Sequence, residues 1–223
     1  MTQSKGFLTS DSGERCDPNT DDSRALGGEP LAGSGFEAEV PEPNFVVEKR
    51  LQRIALLSRA RFLVFPEGAV HRWTSATDAF WAETFSGSGK TLLIGASQRI
   101  PGSSQSTNSV VVVGQHPRPV VHQRIPVPGG MWNPFLPQGG FALQLSSPGT
   151  AEVGGERVAI LICYEQLLTW PMLRSAIERP TLLIAISNES WTGATRVPAV
   201  QRACVRAWVR LFGLPVISAI HMG

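Results

Sequence analysis

Cys163 ends the unbroken apolar run Val158–Ile162, and Glu165 follows it two residues later. Glu67 follows the run Phe62–Phe65 and one proline, while Asn188 and Trp191 follow the run Thr181–Ile186. Runs without polar alternation suit strands buried on both faces, and a side chain just beyond such a strand is held at the rim of a rigid sheet. A thiol so placed can attack a carbonyl or nitrile carbon. A carboxylate beside it can take the thiol proton and return it to a leaving amine. That is the chemistry of acyl transfer. Each residue also has a plainer reading, Cys163 as a small buried thiol closing a core strand and Glu67 as a cap on the turn Pro66-Glu67-Gly68.

Strands alternating with helices would position such side chains. Val47, Leu51, Ile54 and Leu57 recur at helical spacing, which predicts a helix over 44–59. Strands are predicted at 62–65, 91–96, 109–113, 158–162 and 181–186, with a last one beginning at 216–220, and helices at 77–85 and 166–178. A further helix opens at Pro198, where a missing N–H costs nothing, and closes at Gly213 and Pro215. Residues 114–150 are rich in Pro and Gly and read as loop. The order indicates an α/β domain over 44–223, with both faces of each sheet covered. Parallel strands of one sheet bring their polar ends to one edge, so Glu67, Cys163, Glu165, Asn188 and Trp191 are expected at a single site. Residues 1–43 are rich in Ser, Gly, Asp, Glu and Pro without a periodic apolar set, and read as a disordered tail or linker.

Composition excludes several functions. A net charge of +2 over 223 residues argues against a nucleic-acid footprint. Cys16, Cys163 and Cys204 are an odd number at irregular spacing, so neither a disulfide framework nor a metal site is indicated, and a reducing compartment fits. No apolar run approaches the roughly 18 residues needed to span a bilayer, and the start lacks a signal-peptide pattern. The expected location is cytoplasmic, or membrane-associated only through segments outside this chain. Gly87-Ser-Gly-Lys-Thr91 resembles the tail of a phosphate-binding loop, but its first glycine would fall on Thr84 and it runs from helix to strand, the reverse of a P-loop. Arg202, Arg206 and Arg210 form a stripe four residues apart. It reads as a solvated face, with an anionic partner surface as the alternative.

Taken together, the motifs resemble the nitrilase superfamily of carbon–nitrogen hydrolases over about 44–223. Phe65-Pro66-Glu67 is similar to its glutamate motif and Ile162-Cys163-Tyr164-Glu165 to its nucleophile motif. Asn188 to Trp191, and Arg206-Ala207 through Gly213-Leu214-Pro215, resemble segments of the apolipoprotein N-acyltransferase branch. Gln123 to Pro128 followed by Met131-Trp132 looks most like the TraB proteins of plasmid conjugal transfer. The resemblance implies a nitrilase-type αββα sandwich and a Glu-Lys-Cys triad. The implied activity is hydrolysis or N-acyl transfer through a cysteine thioester on a small amide or acyl substrate, with no cofactor or metal; self-association is compatible with it. Glu165, Asn188 and Trp191 are the implied substrate-binding residues.

The chain departs from that pattern in one decisive place. The family lysine should lie near Val127-Pro128, yet the only lysine between the glutamate and cysteine motifs is Lys90. A gapless match puts Gln123 in its place, and a shift of one residue puts His122 or Arg124 there. Arg124 is a candidate oxyanion donor, though a planar guanidinium is not equivalent to an ammonium. The branch's second glutamate would fall near Met131. The alternative function is therefore an inactive nitrilase-fold binding or structural protein. The resemblance also leads us to expect a domain incomplete at both ends and truncated at its C-terminus, lacking a strand before Asn44.

Overall fold

A computed structural model describes residues 44–222, apart from 117, 136–138 and 194. The tail expected over 1–43, Cys16 and any strand before Asn44 lie outside the described residues. The first sheet contains β1 (Phe62–Val64), β2 (Val70–Trp73), β3 (Thr91–Arg99), β4 (Ser106–Val113) and β5 (Val120–His122). Its order is β1-β3-β4-β5, with β2 continuing beside β3 past the end of β1; β1 and β2 run parallel to β3, and β3, β4 and β5 are antiparallel. The second sheet is β6 (Thr150–Val153), β7 (Glu156–Ile162), β8 (Leu182–Asn188) and β9 (Val216–His221), in that order. There β7, β8 and β9 are parallel and β6 is antiparallel to β7.

The apolar runs explain the layering. Successive residues of a strand point to opposite faces. Val158, Ile160 and Ile162 of β7, with Ile184 and Ile186 of β8, therefore meet Leu93, Val110, Val112 and Val121 of the first sheet in a central core. The intervening Ala159, Leu161, Leu183 and Ala185 face outward, against Met172 of α3 (Thr169–Ala176) and Val205 of α4 (Val197–Phe212). On the far side, Leu92, Ile94 and Val111 pack beneath Ala55 of α1 (Asn44–Leu57) and Trp81 and Phe85 of α2 (Ser75–Phe85). Each fully buried Leu, Ile or Phe contributes about 1.5–3 kcal/mol. The result is an αββα sandwich with both faces of each sheet covered, as the unalternating strands required.

Four elements differ from the sequence reading, each for a local reason. Helix α2 starts at Ser75, because Thr74 Oγ1 accepts from the Thr77 N–H at 3.1 Å and caps the helix there. The helix expected over 166–178 is instead a 3-10 turn, Cys163–Leu167, followed by α3. Pro171 cannot donate to Leu167, so the helix restarts with the proline in its first turn. Strand β2 carries two exposed polar residues between Val70 and Trp73, which masks its pattern. The region read as loop hides β5, only 3 residues long, and ends at the first residue of β6. Helix α4 closes as expected, with Gly213 left-handed at φ 64°.

Candidate active site

Strand β7 delivers Cys163 to a sharp turn. Its φ is +51°, in the left-handed region, which costs a non-glycine residue about 1–3 kcal/mol unless its surroundings over-determine it. Three buried side chains do so. Glu165 Oε2 accepts the Ile162 N–H at 3.1 Å, Gln123 Nε2 donates to the Ile162 carbonyl at 3.0 Å, and Gln201 Nε2 reaches from α4 to the Cys163 carbonyl at 2.9 Å. Gln201 was not singled out from the sequence. Its signal was a polar residue one turn before Val205 on the buried side of an amphipathic helix.

Glu67 approaches from the opposite sheet, on the turn after β1. The turn lies directly against Gly95 of β3, where a Cβ would stand 2.1 Å from the Pro66 carbonyl oxygen and 2.7 Å from Glu67 Cα. Only glycine admits that approach. Glu67 is 7% exposed. Its Oε2 accepts the Asn188 N–H at 2.8 Å and its Oε1 accepts from Asn108 Nδ2, and it lines the same cavity as the Cys163 thiol. The three polar strand ends therefore converge, but not along one sheet edge as expected. Cys163 and Asn188 end neighbouring parallel strands of the second sheet, and Glu67 crosses from the first.

The electrostatics are those of a proton-sharing pair. Burial raises the Glu67 carboxyl above its ordinary value, against the pull of the Cys163, Asn188 and Asn108 hydrogen bonds. Burial also raises the Cys163 thiol far above its ordinary value, reinforced by the charge and hydrogen bond of Glu67. The nearby Tyr164 and Asn188 N–H groups pull the other way. Cys163 thus rests as a thiol, not a preformed thiolate.

A cavity of about 250 Å³ opens beside the sulfur, lined by Glu67, Cys163, Asn188, Val127, Gly130, Met131 and Trp191. Trp191 is 61% exposed at its rim. No cationic side chain lines it among the described residues. Gln123 stands behind the wall, its Oε1 accepting from Asn108 Nδ2 at 3.2 Å, so it joins the support of Glu67 to that of Cys163. Lys90 is elsewhere, its Nζ donating to the carbonyls of Ala55, Leu56 and Ser58 at the end of α1.

Arg124 does not reach the cavity. Its Nε donates to Glu165 Oε1 at 3.2 Å, its backbone N–H donates to the same oxygen at 2.7 Å, and its Nη1 donates to Ser175 Oγ at 3.2 Å. It is therefore no oxyanion donor here. Glu165 is likewise sealed from the cavity; burial pushes its carboxyl up, while Arg124 and two backbone N–H groups hold it down. His122 turns away from the site, with Nδ1 2.8 Å from Ser109 Oγ. Among the described residues no three His, Cys, Asp or Glu side chains gather as a metal site.

The fold recurs in solved proteins. A carbon-nitrogen hydrolase of Helicobacter pylori G27 superposes with a TM-score of 0.64 over 81% of this chain and 69% of that one, at 15% identity. The chain has the nitrilase fold. An amidase from Nesterenkonia sp. AN1, in a form whose active-site cysteine carries the acetamide moiety of fluoroacetamide, shares the nitrilase fold at a TM-score of 0.59 and 14% identity, over 79% of this chain and 68% of that one. By sequence the chain is similar to the conjugal transfer protein TraB of Agrobacterium fabrum, 36% identical over 173 residues and 76% of this chain. A probable TraB of Sinorhizobium fredii is 35% identical over 166 residues and 72% of this chain. The chain spans 41% and 42% of the lengths of these curated relatives. No protein-family model matches it.

Proposed function

We propose that this chain is a cysteine-dependent carbon–nitrogen hydrolase or acyl transferase for small uncharged acyl groups. The observation that carries the reading is that Cys163, on its left-handed turn, and the buried Glu67 carboxyl from the opposite sheet line one cavity. As sulfur attacks the substrate carbonyl carbon, Glu67 takes the thiol proton and the Tyr164 N–H faces the developing oxyanion. Collapse breaks the C–N bond, and Glu67 returns the proton to the departing amine. Water or a second amine then takes the acyl group from the thioester, with Glu67 again as base. The apolar walls of Val127 and Met131 and the cavity volume limit the acyl group to a few carbons. Similarity to conjugal transfer proteins supports a role in plasmid transfer, tested by transfer frequency with Cys163→Ala.

A second reading is favoured by one observation, that no cationic side chain lines the cavity among the described residues. Without that charge the pocket is a binding site for a carbonyl ligand and does not turn over. Intact mass after incubation with p-nitrophenyl acetate, with peptide mapping, separates the two. One acetyl group on Cys163, absent in Cys163→Ala and slowed in Glu67→Gln, supports the enzyme. An unlabelled Cys163 in folded protein leaves the non-turnover reading.

A further inference from the structure

The end of β8 serves two cavities. Strand alternation sends Asn188 to the catalytic cavity and Ser187 and Glu189 to the opposite face, beneath α4. There a second cavity of about 170 Å³ lies between β8, β9 and α4. Glu189 lines it with a side chain only 6% exposed. Its Oε2 accepts from Arg202 Nη1 at 3.2 Å, but its Oε1 is buried without any hydrogen-bond partner. A buried carboxylate oxygen left unpaired is costly, and a charged donor is the group that relieves it most.

Arg206 lines the same cavity, one turn further along α4, with no ion pair among the described residues. Ala185, Val205, Val216 and Ile220 give the rest of the lining a largely apolar surface, with Ser187, Ser218 and Gln166 among them. An amine alone would satisfy Glu189 but face two arginines. An acid alone would meet Arg206 but leave Glu189 unrelieved. We propose that this cavity binds a small zwitterion, an α-amino acid with a short apolar side chain, its ammonium on Glu189 and its carboxylate on Arg206. The Glu189 N–H is anchored to the His221 carbonyl at 2.7 Å, so the site is carried by ordered backbone. The adjoining Asn188 N–H holds Glu67. A ligand on Glu189 therefore bears on the segment that positions the catalytic carboxylate.

Titration calorimetry of the full chain with L-valine tests this, with isobutylamine and isobutyrate as probes carrying one charge each. The expected result is saturable L-valine binding, at least tenfold weaker binding of each single-charge probe, and at least tenfold loss of L-valine affinity in Glu189→Gln and in Arg206→Gln. Arg206 is exposed, so its variant keeps the proposal testable even where Glu189→Gln fails to fold. Protein alkylated at Cys163 should bind L-valine unchanged, which separates this site from the catalytic cavity whether or not that cavity turns over. Absence of L-valine binding by folded protein, isobutylamine binding as tightly as L-valine, or full affinity in Arg206→Gln would each overturn it.

Discussion

The Gln123 side chain donates to the Ile162 carbonyl at 3.0 Å and so holds the backbone of the turn that carries Cys163. Its oxygen takes a hydrogen bond from Asn108, which also supports Glu67. Both ends of the amide are engaged, and the position is structural as well as electrostatic.

Gln123→Lys introduces an ammonium beside two buried carboxylates. A nearby positive charge favours the ionised forms of both Glu67 and Cys163. Because one oxyanion donor is typically worth about 100- to 1000-fold in turnover, the variant should acylate Cys163 at least about tenfold faster, followed by intact mass over time. Gln123→Leu keeps the bulk but strands the Ile162 carbonyl, and should cost about 1–3 kcal/mol in a urea melt. An acylation rate in Gln123→Lys at or below that of the wild type would show that position 123 does not face the reacting carbonyl.

Glu67→Gln should flatten the pH dependence of stability while slowing acylation. A carboxyl raised by burial binds its proton more tightly folded than unfolded. Its contribution is therefore most favourable below the ordinary value of 4.5 and is lost as pH rises through the folded value. The wild type should lose stability across that window, and the variant should show a flatter profile by about 1 kcal/mol or more. Acylation by the wild type should rise through the same window as the base ionises. Urea melts and acylation rates across pH check both limbs, and parallel profiles for the two proteins would remove Glu67 as the base.

The residues that meet at this cavity were legible because their signals are local. Cys163, Glu67 and Asn188 each end an apolar run, and a strand end is visible in sequence. What held them in place was not. Asn108 sits in the Ser-rich segment Ser106–Ser109, Gln201 on a helix, and Gly95 within a strand; each matters through a partner from 28 to 41 residues away. Arg124 was misread for a related reason. Its charge suggested an oxyanion donor, but the pairing with Glu165 across 41 residues is settled by packing alone. Convergence across two sheets was likewise hidden, because strand order between sheets leaves no periodicity in the chain.

Arg124→Met should be strongly destabilising. The guanidinium is fully buried against Glu165, and removing one member of a buried pair leaves the other uncompensated, at about 3–5 kcal/mol. Arg124→Lys keeps the charge but loses the planar fork that reaches both Glu165 and Ser175, so it should recover only part of that loss. Chemical denaturation of the three proteins measures this, and wild-type stability in Arg124→Met would contradict the pairing.

Lys90→Ala separates the remaining lysine from catalysis. Its ammonium satisfies three carbonyls at the end of α1, where a cation also complements the helix dipole. The variant should lose about 1–2 kcal/mol in a denaturant melt and acylate Cys163 at the wild-type rate. A slowed acylation in folded Lys90→Ala would mean that this lysine reaches the site after all.

Gly95→Ala tests how the carboxylate is delivered. An alanine Cβ would overlap the Pro66 carbonyl oxygen at 2.1 Å, a backbone atom with no rotamer to adopt. Strand β3 is fixed by β1 and β2 on one side and β4 on the other, so the turn carrying Glu67 must move instead. A shift there lengthens the bonds from Glu67 to the Asn188 N–H and to the Cys163 thiol, both of which depend on its present position. The fold should survive with a loss of about 1–3 kcal/mol, while acylation falls by about 100-fold or more, the share of a positioned general base. The rise of acylation with pH through the Glu67 range should vanish with it. Ala96→Gly, one residue along the same strand, should destabilise comparably and leave acylation and its pH dependence intact. Equal acylation in Gly95→Ala and Ala96→Gly would show that the contact at residue 95 does not set the position of Glu67.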